Sequence, residues 1–154
     1  MNRIFQDSQD GAAQNTLAMN DDELTHLIIG CAMKVHRHLG SGFLESVYQK
    51  ALTHELQKAE LAVECEVPIK VSYDGLDVGV FYADILVNSQ VIVEIKAVEQ
   101  LVIAHETQLV NYLTATDHEV GLLINFGASS LQFKKKFRTY RKPDSNPVNP
   151  DTSC

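Results

Sequence analysis

Residues 81–97, FYADILVNSQVIVEIKA, form two apolar-rich runs separated by a short polar break. That pattern favours a β-hairpin. Its register then decides where every side chain goes, because strand side chains alternate between faces. With a three-residue loop, Asn88-Ser89-Gln90, Val87 pairs with Val91, Ile85 with Val93 and Asp84 with Glu94. One face then carries Phe81, Ala83, Ile85, Val87, Val91, Val93 and Ile95, all apolar. The other carries Tyr82, Asp84, Leu86, Ile92, Glu94 and Lys96. A two-residue loop at Asn88-Ser89 would pair Asp84 with Val93 and mix the faces. It would also ask for positive φ at both loop residues, which suits Ser89 poorly. The three-residue register is the expected one.

That register gathers Asp84, Glu94 and Lys96. Two carboxylates can hold a divalent metal, and a lysine beside them can steady or deprotonate a water. This is a minimal set for metal-assisted phosphodiester cleavage. The tripeptide Glu94-Ile95-Lys96 is common, however. A solvated strand face with a weak surface ion pair is equally compatible with the hairpin alone.

The chain of 154 residues is expected to form one domain. It has no apolar run long enough for a transmembrane helix, and residues 1–20 lack the apolar core of a signal peptide. Cys31, Cys65 and Cys154 match neither a disulfide framework nor a zinc spacing. Cys31 and Cys65 read as core fillers. A reduced, cytoplasmic protein is expected. The net charge of −7 argues against nucleic-acid binding through overall charge. Residues 133–142, FKKKFRTYRK, nevertheless hold six of the 13 basic residues, a strip that could grip phosphates or simply form a solvated edge.

Residues 1–20 are polar and unpatterned, and 143–154 read as a disordered, proline-rich tail, leaving a domain at 21–142. A helix is expected from Asp21 or Asp22, with an apolar side at Leu24, Leu27, Ile28, Cys31, Val35 and Leu39, ending at Gly40. A second helix is expected over 43–61, with Leu44, Val47, Ala51 and Leu52 as its stripe. Glu45 and Tyr48 share one of its faces. Strands follow at 63–71, 76–87 and 91–97, with Asp74-Gly75 as a hairpin turn. Val63, Cys65, Val67, Ile69 and Val71 point inward, and Pro68 suggests an edge or a bulge. A third helix over 104–116 places Gln108 and Tyr112 on one face. The run from Val120 to Ile124 suits an interior strand, and 131–140 could add an edge strand. The order α-α-β-β-β-α-β describes an α/β fold, a mixed sheet with helices packed on it.

That order resembles the restriction-endonuclease-like core of the PD-(D/E)XK nuclease superfamily. More specifically, the chain resembles the GxxExxY proteins. The name-giving motif is Gly42-Phe43-Leu44-Glu45-Ser46-Val47-Tyr48, preceded by Val35-His36 and Leu39-Gly40. Further matches are Tyr82-Ala83-Asp84, Glu94-Ile95-Lys96, Gln108 to Leu113, and Gly121 to Gly127. The resemblance spans about residues 24–138. It implies that Asp84, Glu94 and the Ile95 carbonyl ligate Mg²⁺ or Mn²⁺. Lys96 would orient the attacking water and stabilise developing charge. Glu45 would act as an outer acid, Gln108 would brace the site, and Tyr112 would sit behind it. The implied partner is nucleic acid, DNA ahead of RNA, with no membrane; assembly into a homo-oligomer stays open. The alternative is a catalytically silent binding or assembly module on the same fold. Of the histidines, His36 and His105 lie closest to the motifs and read as packing or supporting residues.

Overall fold

The computed structural model describes residues 19–140. The expected tail, and the expected loose segment except for Met19 and Asn20, lie outside the described residues. Three helices and five strands follow in the order α1 (Asp21–Leu39), α2 (Glu45–Lys58), β1 (Val63–Tyr73), β2 (Leu76–Val87), β3 (Val91–Lys96), α3 (Ile103–Ala115), β4 (Val120–Asn125) and β5 (Gln132–Phe137). The sheet runs β1-β2-β3-β4-β5. Only β3 and β4 are parallel, joined by the α3 crossover. The result is the mixed α/β sheet expected from the sequence.

The helix ends follow from local chemistry. The Asn20 side chain caps α1 by accepting from the Glu23 N–H at 2.8 Å, one residue before the expected Asp21. Gly40 ends it at φ 69°, a left-handed conformation open to glycine. Helix α2 is shorter than expected and presents a different stripe. Tyr48, Leu52 and Leu56 are buried, while Leu44 is 76% exposed and Val47 also faces solvent. The apolar count favours Leu44 and Val47. Burial instead follows Tyr48, whose large ring stacks on Phe126 with centroids 4.6 Å apart.

Helices α1 and α2 cover one face of the sheet, over Ile85, Val87, Val91, Val93, Ile95, Leu122 and Ile124. Helix α3 covers the other, over Ala83, Leu86, Ile92 and Leu123. Strand β4 is buried throughout its length, as an interior strand between two helix layers should be. Strand β1 lies at an edge, consistent with Pro68. Cys65 is exposed rather than a core filler, and Cys31 is only partly buried.

The hairpin register is the expected one: Val87 pairs with Val91, Leu86 with Ile92 and Ile85 with Val93. Positive φ at both turn residues proves no obstacle. Asn88 and Ser89 both adopt positive φ, 52° and 53°, and the Gln90 N–H donates to the Val87 carbonyl at 2.9 Å. Asn88 is fastened through its Oδ1, which accepts from the Ala62 N–H at 2.9 Å, so tertiary contacts carry the strained turn.

The expected wholly apolar face is not continuous. Phe81 packs on Tyr112 of α3, and Ala83 joins the α3 side, whereas Ile85 and Val87 lie under α1 and α2. Strand β1 switches in step, with Val63 on the α1–α2 side but Val67 and Ile69 on the α3 side. The cause is local. Glu66 has φ 52°, and the register sets it across from Asp84, between the Cys65–Ile85 and Val67–Ala83 pairs. A left-handed residue in one strand re-aims the side chains of both.

Gly127 is the tightest glycine. A Cβ there would lie 2.4 Å from the Val98 backbone nitrogen and oxygen, which cannot swing aside as a side chain could. Gly127→Ala is expected to destabilise the protein by about 1–3 kcal/mol, as overpacking does. Chemical denaturation of the two proteins measures it.

Candidate active site

The site lies where β2 and β3 part. Their backbone pairing runs from Val87–Val91 to Ile85–Val93. At the next pair the side chains take over. The Ile95 N–H donates to Asp84 Oδ2 at 2.8 Å, and the Asp84 N–H donates to Glu94 Oε1 at 3.2 Å. Each carboxylate thus satisfies a backbone donor that the separating strands leave free. Strand β3 stays straight because β4 holds it through Lys96–Asn125, and the Phe126 N–H donates to the Lys96 carbonyl at 2.9 Å.

Burial and crowding set the electrostatics. Glu94 is only 7% exposed. Burial chiefly, then the Asp84 charge, pushes its carboxyl up to about 8, and hydrogen bonding between the two side chains adds to this. Burial also raises Asp84. The Ile95 N–H opposes that shift, Glu45 and Glu66 reinforce it, and Lys96 weakly offsets it. Burial and mutual repulsion thus disfavour the doubly charged pair. Tyr112, buried on α3, has its hydroxyl raised first by burial and then by the charges of Glu94 and Asp84, so it lies close to both.

The residues singled out in the sequence are distributed as follows. Asp84 and Glu94 meet. Lys96 is half-buried beside them and favours the charged form of each. Glu45 is exposed at the start of α2, and its charge reaches Asp84. Gln108 is exposed on α3 and lines a groove with Tyr112; it hydrogen-bonds to neither carboxylate. Tyr48 is fully buried and structural. Its hydroxyl donates to the Gly40 carbonyl at 2.6 Å and accepts from the Phe43 N–H at 3.2 Å, pinning the turn that presents Glu45. Tyr48→Phe should keep the ring stack and cost about 1–3 kcal/mol for the two unpaired backbone groups, read by chemical denaturation. His36 bonds the Ala128 carbonyl at 2.9 Å, and His105 Nδ1 accepts from the Val102 N–H at 3.2 Å, so both serve packing and capping.

Three contributors go beyond the residues expected from the sequence. Glu66 stands across from Asp84 and adds negative charge to it. Gln49 donates from one Nε2 to the Asp84 carbonyl at 3.0 Å and to Glu66 Oε1 at 3.1 Å. Its position four residues after Glu45, on the same helix face, is the available signal. Buried Asn125 bonds the Val98 N–H and C=O and the Gly127 N–H, clamping the segment that follows Lys96. Three of the four described cations of the basic strip are paired with acids. Lys135 pairs with Asp22, Lys136 with Glu106 at 3.1 Å, and Arg138 with Glu119 at 3.8 Å. Arg141 and Lys142 lie outside the described residues.

Among the described residues, no group of three or more His, Cys, Asp or Glu side chains is arranged to hold a metal ion, and no helix is long and apolar enough to cross a membrane. The donor chemistry still suits a hard cation. The buried Glu94 and half-buried Asp84 carboxylates, with two further acids nearby and one lysine, hold excess negative charge, and among the described residues no thiolate or imidazole takes part.

A family model described as the PD-(D/E)XK nuclease superfamily matches residues 22–138. No curated protein matches. A solved structure, SSO0001, is similar at a TM-score of 0.49 and 20% identity, over 62% of this chain and 50% of that one. The chain thus spans about half the length of that protein.

Proposed function

For a chain that belongs to the PD-(D/E)XK nuclease superfamily, we propose metal-dependent hydrolysis of phosphodiester bonds, DNA ahead of RNA, at the Asp84–Glu94–Lys96 site. The Gly42–Tyr48 motif supports placing it with the GxxExxY proteins, and the unpatterned cysteines support a reduced, cytoplasmic setting. The observation that carries the reading is the crossed pair of hydrogen bonds at the strand split, 2.8 and 3.2 Å, which brings two carboxyls into one acidic centre.

Asp84, Glu94 and the Ile95 carbonyl would hold Mg²⁺ or Mn²⁺, which lowers the pKa of a bound water and neutralises phosphate charge. The chain's own part is positioning and charge control. Burial keeps Glu94 protonated near neutrality unless a cation replaces the proton. The Lys96 ammonium is assigned to orient the attacking water and to stabilise charge growing on the phosphate. Gln49 holds the Asp84 carbonyl and Glu66, so the kink that aims Asp84 inward is braced from α2. Glu45 adds an outer acid that can order water. Gln108 is assigned to brace the substrate side of the site from α3.

A second reading, a silent binding module, draws on the pairing of Lys135, Lys136 and Arg138 with acids, which offsets three of the strip's six positive charges. Incubation with single-stranded, double-stranded and flapped DNA and RNA separates the two. Cleavage that needs Mg²⁺ or Mn²⁺ and disappears in Asp84→Asn supports the nuclease. No cleavage of any substrate, with the fold intact, leaves the module.

A further inference from the structure

We propose that the groove along the outer side of α3 binds one unpaired nucleic-acid strand and leads it to the carboxylate pair. This deepens the nuclease reading and rests on it. The groove has a volume of ≈ 1200 Å³ and is lined by residues that include Lys70, Phe81, Asn111, Tyr112, Arg138 and Tyr140. It follows a helix of 13 residues, roughly 20 Å long. Among the described residues no carboxylate lines it, although acids outnumber basic residues 20 to 13 in the chain.

Three features fit a single strand. Phe81 and Tyr140 expose aromatic rings at the groove, and only unpaired bases can stack on such rings. Glu119 anchors the Tyr140 hydroxyl, and the Arg138 guanidinium lies 5.6 Å from the centroid of its ring, so the ring is held in place. Among apolar neighbours such as Ile103 and Ala115, Thr107, Gln108 and Asn111 offer donors and acceptors to base edges. The groove also joins the site. Tyr112 lines it, contacts Phe81 at 5.2 Å between centroids, and packs in one cluster with Ala83 and Ile92, which lie beside Asp84 and Glu94 along β2 and β3. Among the described residues two cations line the groove, Lys70 and Arg138, and Glu119 pairs with Arg138. Affinity should therefore come from stacking more than from phosphate contacts.

The test is fluorescence anisotropy of the full chain, in EDTA, with a labelled oligothymidine and a blunt duplex of equal length. Wild type should bind the single strand at least tenfold more tightly. Tyr140→Ala should weaken binding about tenfold, within the range for one stacked base. Asn111→Glu should do the same by placing a carboxylate in the groove. Both residues are exposed, so melts should be unchanged. Equal or tighter duplex binding, strand binding indifferent to both groove variants, or no strand binding at all would overturn the proposal. So would a wild-type dimer that Asn111→Glu dissociates, which would assign the groove to a second copy. Groove-dependent binding without any cleavage would sink the nuclease reading alone. Duplex cleavage that Asn111→Glu leaves untouched would sink the groove alone.

Discussion

Lys96→Ala is expected to lower cleavage by about 10²–10⁴-fold, the range for a residue that handles a proton or stabilises transition-state charge. Lys96 ends β3, half-buried, and its backbone is held on the β4 side by the Asn125 pairing and the Phe126 N–H. Truncating the side chain removes the ammonium without loosening the strand. The carboxyl pair stays, so metal-induced stabilisation should persist and even strengthen, because a competing positive charge has gone. Single-turnover cleavage and thermal melts of one preparation separate the two effects. Loss of both metal response and cleavage would mean that Lys96 supports the fold of the site rather than its chemistry.

The metal-free protein should lose stability as pH rises from about 4.5 to about 8. Glu94 ordinarily titrates near 4.5 and is pushed up to about 8 by burial and by Asp84. Between those values the folded state binds the proton that the unfolded state has released. Stability therefore falls with increasing pH across this window, and the favourable contribution is complete only below it. Asp84 moves in the same direction. Each tenfold gain in proton affinity on folding corresponds to ~1.4 kcal/mol, so the full loss is on the order of a few kcal/mol and roughly 10 °C in melting temperature. Glu94→Gln should flatten this dependence. It keeps an oxygen to accept from the Asp84 N–H and carries no charge to repel. The variant should match wild type near pH 5 and exceed it near pH 9. Melts in EDTA across this range would contradict the account if both proteins followed one curve.

Much of the fold is legible because its signals are periodic. Alternation and the Asp74-Gly75 turn locate β1 and β2, and the continuous apolar run locates β4. Hairpin register follows from the requirement that one face be apolar, and that requirement is strong enough to survive a wrong view of the turn. Ser89 adopts positive φ because the surrounding contacts outweigh its local preference. The α2 stripe departs from expectation for a related reason. Leu44 and Val47 count as more apolar than Tyr48, but a stacking partner, Phe126, lies far along the chain and decides which face is buried.

The acidic centre is legible as a set of residues but not as a geometry. Alternation alone puts Asp84 and Glu94 on a shared face. The structure instead brings them into the gap between separating strands, where each accepts a backbone N–H from the other strand. That gap depends on the break in alternation at Glu66. Val63, Cys65, Val67 and Ile69 alternate without interruption in the sequence, so nothing there announces a left-handed residue. Gln49 and Asn125 escape a sequence reading because amides carry no charge pattern, and their importance lies wholly in which backbone groups they satisfy.

The central claim is that Asp84 and Glu94 form a divalent-metal site. The most direct measurement compares melting temperatures of wild type and Asp84→Asn at pH 7, in EDTA and with Mg²⁺ or Mn²⁺. In EDTA, Asp84→Asn should be at least as stable as wild type, because mutual repulsion is relieved. Metal should stabilise wild type by about 2.7 kcal/mol at a hundredfold excess over Kd, by mass action on the folded state. The variant should gain little. Equal metal shifts in the two proteins would contradict the account and leave the silent binding module as the better description.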